Sequence, residues 1–348
     1  MRQGFRKPER LKRNDTVAVL SPSKGNPSRF PQVYELGVRN LEERFGLIVK
    51  EYPSARADAT FLYWNPKNRA DDINKAFADK EVKAIIATIG GDESVRILPH
   101  LDREVIRNHP KILMGYSDIT TLLTYCTQLG LVAFHGPMIM AGFSQLINLP
   151  RAFTDHITAV LFNPQPTYAY QPYDVYSDGY PDWANVSNLG KVKEPRSNIG
   201  WTWLQGNSCV RGDLFGGNIE VLEFMKGTVY WPSPDFWEGK ILFLETSEEK
   251  PSPISVERWL RNYGMQGVFD KISALLFGRA RDYSESEKKQ LDSLIVSVVA
   301  KEFNQPELPI VTNMDFGHTD PHFILPLGIA AEVDCRNKRF RLLDPAVI

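Results

Sequence analysis

"KILMGYSDITTLLTYCTQLG", residues 111–130, opens as an apolar run and changes period within three residues. Its first five residues read as a buried strand, whereas Ile119, Leu122, Leu123 and Cys126 recur at helical spacing. Ser117 and Asp118 therefore stand at a strand-to-helix turn. Two readings of that serine remain open. As an N-cap it would accept the orphan amides of the first helical turn, with Asp118 set against the helix dipole. As a nucleophile elbow it would lift its hydroxyl above the sheet, with the next backbone amide facing a developing oxyanion. Ile119 occupies the place of the second glycine in a G-x-S-x-G elbow, so a decision needs a base and an orienting acid elsewhere.

Outward from this turn, strands and helices alternate. "TVAVLSP", "LIVKEYP", "VKAIIATIGG" and "KILMG" read as strands, and "VYELGVRNLEERFG" and "NRADDINKAFAD" as amphipathic helices, the first closed by Gly46. Near-continuous apolar strands with helices between them predict a parallel sheet covered on both faces. Ligands of such sheets bind beyond the strands' carboxyl ends, where Gly90, Gly91 and Ser117 all fall. Residues 165–206 are rich in Tyr and Trp among Pro, Asn, Asp and Gly with no sustained period, which predicts a long functional loop rather than disorder. After it come the strands "KILFLE", "ISALLFGRA" and "LPIVTNM", three helices, and a hairpin about Arg336 and Asn337. The expected organisation is thus α/β throughout: residues 1–164, an aromatic interdomain loop 165–206, and a second α/β domain 207–348 with a mixed sheet. No internal repeat is found.

Composition limits the function classes. The 348 residues are 43% hydrophobic and 24% charged, and the net charge of −1 gives no electrostatic case for nucleic acid. The first thirteen residues carry six Lys or Arg without an apolar stretch of signal-peptide length after them, which reads as a solvated basic tail on a cytoplasmic protein with no membrane partner. The three cysteines lack C-x-x-C spacing or a His partner and read as small buried hydrophobes in a reducing compartment.

The acid and base follow from strand ends. Glu245 closes "KILFLE", and His318 follows "LPIVTNM" in a Gly-flanked turn with Asp315 and Asp320. Taken singly, each reads as a strand-end charge or a hydrogen-bonded loop histidine. Taken together, Ser117, Glu245 and His318 supply a nucleophile, an orienter and a base. His135 in "AFHGPM" has no carboxylate motif beside it and is expected to be structural or to line the substrate. His100, His109 and His156 read as surface residues. His322 lies close to His318 but has no third ligand in view, so no metal and no cofactor is expected.

"GYSD", "FLETSE" and "NMDFGHTDP", with "TIGGDES", "FHGPM", "WTWLQG" and "LFGGN" between them, resemble the LD-carboxypeptidase and microcin C self-immunity serine peptidases. The match runs from about Asp15 to the C-terminus with the motifs in the family's order. The resemblance implies a serine on a Rossmann-like N-terminal domain, an acid and base on a C-terminal domain, and a homodimer. It makes Ser117 the nucleophile, Glu245 the orienter and His318 the base. The oxyanion amides are assigned to Gly91 and Asp118, with Asp92, Glu93 and Ser94 expected to cap the following helix. A tight turn of positive φ is an equal reading of Gly90. Trp183 and Asn218 are the candidates for substrate contact.

Two other classes compete. "TIGGDES" also resembles the GGDG loop of lipid and NAD kinases, but Glu93 would add negative charge against a phosphate. A noncatalytic ligand clamp would need a signal peptide and would leave the three catalytic types without a role. Within the family, one branch cleaves murein tetrapeptide and the other the amide joining an aminoacyl group to a nucleotide-like part. The aromatic loop, "WTWLQG" and the acidic "GGDES" favour the second, so the expected partner is a small peptide or peptidyl-nucleotide substrate.

Overall fold

The computed structural model describes residues 4–348. Strands β1 (Thr16–Leu20), β2 (Ile48–Glu51), β3 (Val82–Ala87), β4 (Ile112–Gly115) and β5 (Ala133–His135) form a parallel sheet in the order β5-β4-β3-β1-β2. All but the edge strand β2 are buried almost throughout. The helices Pro31–Phe45, Pro66–Ala78, Arg103–Asn108 and Thr120–Gln128 lie in the four crossovers. The first ends where the sequence predicts, at Gly46 in the left-handed conformation with φ 67°.

Residues 165–206 carry more regular structure than their composition suggests. They hold β6 (Tyr168–Ala169), β7 (Val175–Tyr176), β8 (Arg196–Ser197) and β9 (Thr202–Gln205). Tyr170, Tyr173 and Tyr176 are buried, and Tyr170 stacks on Phe340 at 4.7 Å. These aromatics are therefore partly core, while the stretch around Trp183 and residues 194–197 stay near solvent.

Strands β10 (Cys209–Asn218), β11 (Lys240–Glu245), β12 (Ala274–Gly278) and β13 (Ile310–Met314) build a second parallel array. The three-residue strand β14 (Leu325–Leu327) then crosses back and pairs antiparallel with β5 of the first sheet. The hairpin β15 (Ala330–Asp334) and β16 (Arg339–Leu342) returns to the second sheet, whose order is β6-β16-β15-β10-β11-β12-β13-β9. The chain is thus α/β with a largely parallel first sheet and a mixed second one. A single continuous cluster of buried apolar side chains runs through both. The seam between the sheets is tight at Gly217, where an added Cβ would lie 2.5 Å from Thr120 Oγ1. The same hydroxyl accepts from the Asn218 amide at 3.1 Å.

Three expectations are corrected by burial. The basic N-terminal segment is docked rather than solvated: Leu11 and Pro8 are buried, the Arg6 amide donates to Gly130 O at 2.8 Å, and Lys7 pairs with Asp344. Met1, Arg2 and Gln3 lie outside the described residues. His156 is a core residue, bonded to the Tyr168 hydroxyl and accepting the Ile324 amide, both at 2.7 Å. Of the cysteines only Cys126 is buried; Cys209 is exposed and Cys335 intermediate. Cys209 even meets Glu332 and Asp334 in a cluster of donor atoms, but those carboxylates already pair with Arg211, Arg339 and Arg341.

Candidate active site

The carboxyl ends of the two parallel arrays meet, and every sequence-selected residue lies at that junction. Ser117 follows β4, Gly90 and Gly91 follow β3, Asn218 and Glu245 are the paired last residues of neighbouring β10 and β11, and His318 follows β13. Ser117, Gly91, Asn218, Trp183 and His318 line one cavity.

Ser117 does not cap a helix: its hydroxyl makes no hydrogen bond among the described residues, and the N-cap position falls on Tyr116. Its φ of 60° is left-handed, a conformation that costs a residue with a Cβ roughly 1–2 kcal/mol. A sharp, strained turn of this kind is what an elbow serine requires. Gly90 makes the approach possible, because a Cβ there would lie 2.9 Å from Ser117 Oγ. The need at Gly90 is therefore for space, and positive φ belongs to Gly91 instead.

Asp118 does the capping that the sequence assigns to its neighbours. Its buried Oδ2 accepts from the Glu93 amide at 3.0 Å, the Ser94 amide at 2.8 Å and Ser23 Oγ at 2.6 Å. Burial raises the Asp118 carboxyl above its usual range, against the pull of these bonds. No side chain of the Asp92–Ser94 stretch caps the helix Ser94–His100. Glu93 turns inward to Arg69 at 3.4 Å and Arg96 at 2.9 Å, so its charge is compensated rather than presented to a ligand.

On the other side, His318 Nδ1 lies 2.7 Å from Glu245 Oε2, with both side chains buried. Gly317, at φ 97°, permits this contact, since a Cβ there would sit 2.8 Å from that carboxylate oxygen. Sequence reasoning missed the second partner: Glu248 Oε2 is 3.0 Å from His318 Nε2. Burial would push the imidazole down, but the two carboxylates outweigh it and raise its pKa to about 10. Glu248 is drawn down to about 2 by the same contact, against burial. Nothing in a loop motif signals such a pairing, which exists only once the sheet sets β11 and β13 on either side of β12.

His135 is fully buried against Tyr116, Phe243 and Phe316 with neither ring nitrogen bonded, and burial holds its pKa well below normal. It is structural and does not line the cavity. Trp183 stacks on Tyr180 at 4.3 Å and 14°, and meets Phe30 edge-on. Asn218 caps the helix Ile219–Met225 through Oδ1, which leaves its buried Nδ2 without a partner.

The sequence and the fold match known proteins along nearly the whole chain. Models of the LD-carboxypeptidase N-terminal and C-terminal domains match residues 17–136 and 211–333. The chain belongs to the LD-carboxypeptidase (peptidase S66) family. It is 29% identical to the Escherichia coli microcin C7 self-immunity protein MccF, over 95% of this chain and 93% of that one. It is 28% identical to a Bacillus subtilis protein named as a probable murein peptide carboxypeptidase, over 95% and 92%. Identity alone therefore does not separate the family's two branches. Among solved structures, MccF with aspartyl sulfamoyl adenosine superposes with a TM-score of 0.86 at 27% identity, covering 99% of this chain and 100% of that one. A Streptococcus pneumoniae MccF-like protein with AMP gives 0.82 at 26%, covering 94% and 98%. As a peptidase S66 member this chain is a hydrolase of the serine peptidase class. Among the described residues, no helix is long and apolar enough to cross a membrane.

Proposed function

We propose that the chain hydrolyses the amide joining an aminoacyl group to a nucleotide-like leaving part, using Ser117, His318 and Glu245. The observation that carries this is one cavity bordered by a strained, unbonded serine, a histidine tied to a buried carboxylate, and a stacked Tyr180–Trp183 pair. Ser117 Oγ attacks the carbonyl carbon while His318 Nε2 takes its proton, and His318 then passes that proton to the leaving amine. Glu245 fixes the imidazole by accepting from Nδ1 and stabilises its positive charge. The amides of Gly91 and Asp118 receive the oxyanion, Asn218 Nδ2 donates to substrate, and water releases the acyl-enzyme. The ligands named for the MccF structures, aminoacyl sulfamoyl nucleosides, suit an aromatic wall on which a flat base stacks.

A second reading, release of a terminal D-amino acid from murein tetrapeptide, is favoured by the similar likeness to the Bacillus subtilis protein, 28% against 29% identity. Mass spectrometry of products from aminoacyl sulfamoyl adenosine and from murein tetrapeptide tests both. Cleavage of the nucleoside alone supports the first reading, and cleavage of the tetrapeptide alone overturns it. A cytoplasmic homodimer completes the proposal, checked by light scattering and cell fractionation.

A further inference from the structure

We propose that Glu248 reads the free amine of the aminoacyl substrate and, by leaving His318 to do so, switches the base on. This rests on the hydrolase reading above and adds to it a specificity residue and the substrate group that residue recognises.

The argument starts from the imidazole. Both ring nitrogens face carboxylates, Nδ1 at 2.7 Å from Glu245 and Nε2 at 3.0 Å from Glu248. Only the protonated ring donates from both nitrogens. An imidazolium cannot accept the Ser117 proton, and Ser117 correspondingly makes no bond to it. The two contacts are not equivalent. Glu245 is fully buried at the end of β11, whereas the Glu248 side chain is half exposed on the loop that follows. Glu248 is the partner that can move.

A group that takes a carboxylate away from an imidazolium must itself be a cation. In an aminoacyl substrate the ammonium sits on the carbon next to the carbonyl under attack, so it arrives beside His318 whenever that carbonyl reaches Ser117. The cavity wall suits it. Glu220 is held by Ser247, whose hydroxyl donates at 2.6 Å, and the Glu249 carboxylate has no partner among the described residues. Lys24, the one lysine on this cavity, is paired with Asp92 at 3.1 Å. Asn218, whose buried Nδ2 has no partner, lines the same cavity and suits a substrate oxygen. Once an ammonium–carboxylate pair replaces the imidazolium–carboxylate pair, His318 releases its Nε2 proton to water and can take the serine's. The other titratable or charged groups around it are Glu245 on β11, Glu220 on the helix Ile219–Met225, Tyr116 after β4, His135 on β5, His322 on its own loop, and Arg281 beyond Glu248.

The test compares an aminoacyl sulfamoyl adenosine with its N-acetyl derivative. The wild-type protein is expected to favour the free amine by about tenfold or more in kcat/KM, the effect of one pKa unit on a base. Glu248→Gln is expected to lose that preference by gaining on the N-acetyl compound, and to move the acid limb of its pH profile down by about one unit. An unchanged preference and limb in folded Glu248→Gln overturns the proposal. NMR titration of His318 in ligand-free protein separates this from failure of the hydrolase reading. A midpoint well above neutrality that falls in Glu248→Gln supports the contact. An ordinary midpoint in the wild type overturns it whatever is hydrolysed, and absence of turnover on any aminoacyl or murein substrate overturns the hydrolase reading and this one together.

Discussion

The two halves of the site are built on opposite plans. At the Ser117 turn the polar groups beside the serine are bonded: the Asp118 carboxylate takes three donors, its carbonyl takes Ser94 Oγ at 2.7 Å, and Glu93 is neutralised by two arginines. The serine hydroxyl itself is left unbonded, and the unpartnered atoms on this half, such as Arg69 Nε, Thr121 Oγ1 and the His135 nitrogens, lie off the cavity wall. At the turns carrying Glu245 and His318, buried polar atoms are unpartnered, among them Glu245 Oε1, Thr246 Oγ1 and Asn218 Nδ2. The proposed nucleophile stands among bonded groups, while the proposed acid–base side keeps unused hydrogen-bonding capacity and a half-exposed carboxylate, Glu248. Since unsatisfied buried groups cost about 1–3 kcal/mol each, that side gains most when a ligand arrives. Substrate binding should therefore reorganise the second half and leave the first alone.

The largest expected effect tests the bonded half. Ser117→Ala should abolish amide hydrolysis with the melting temperature nearly unchanged, because the hydroxyl makes no bond and the Cβ is retained. Turnover by a folded Ser117→Ala protein would remove the proposed nucleophile. Next comes the other half: Glu245→Gln should lower kcat by about 10³- to 10⁴-fold, as losing an orienting carboxylate does elsewhere. His318→Ala should match the serine variant, since such groups act as a unit. Glu245→Gln also carries a pH signature. The imidazole's pKa is raised to about 10 from an ordinary 6.5, so its ion pair stabilises the fold fully at and below pH 6.5, while the carboxylate is ionised, and loses that contribution as pH rises through 10. The stability gap between wild type and Glu245→Gln should therefore be wider at pH 6 than at pH 10.5, and a gap that widens with pH would contradict the pairing.

Asp118→Ala sharpens the comparison from the side of stability. It strands two buried amides and a hydroxyl, so about 3 kcal/mol should be lost in denaturant unfolding. Loss of stability below about 1 kcal/mol would mean that this half is held less firmly than its bonds suggest.

How much of this was legible in the chain depends on range. Strand ends, the Gly46 stop and the three residues of the proposed triad could be read because each lies in a local pattern: an apolar run, then a turn residue. What could not be read depends on pairing across the fold. β14 is three residues long and contains Pro326, so no alternation marks it, yet it closes the first sheet against β5. His156 has no sequence signal of burial, because its partners Tyr168 and Ile324 come from distant segments. The grip of Glu248 on His318 joins residues seventy positions apart in the chain, and an exposed loop acid looks like any other.

The smallest effect concerns Trp183, which lines the shared cavity without belonging to either plan. Its ring is half-buried, one contact is the stack on Tyr180 and another the edge of Phe30, and its Nε1 has no partner. If the indole carries the leaving part's base, Trp183→Ala should reduce kcat/KM for aminoacyl nucleosides by about tenfold, within the roughly 1–3 kcal/mol of an aromatic stack, and spare peptide substrates. Some stability will go with it, because the Tyr180 stack is worth about 1 kcal/mol. The ratio between the two substrate classes is therefore the decisive measurement, since a loss of packing moves both rates together and leaves the ratio unchanged. An unchanged ratio with a lower melting temperature would make Trp183 a plug and shift the balance toward murein peptides.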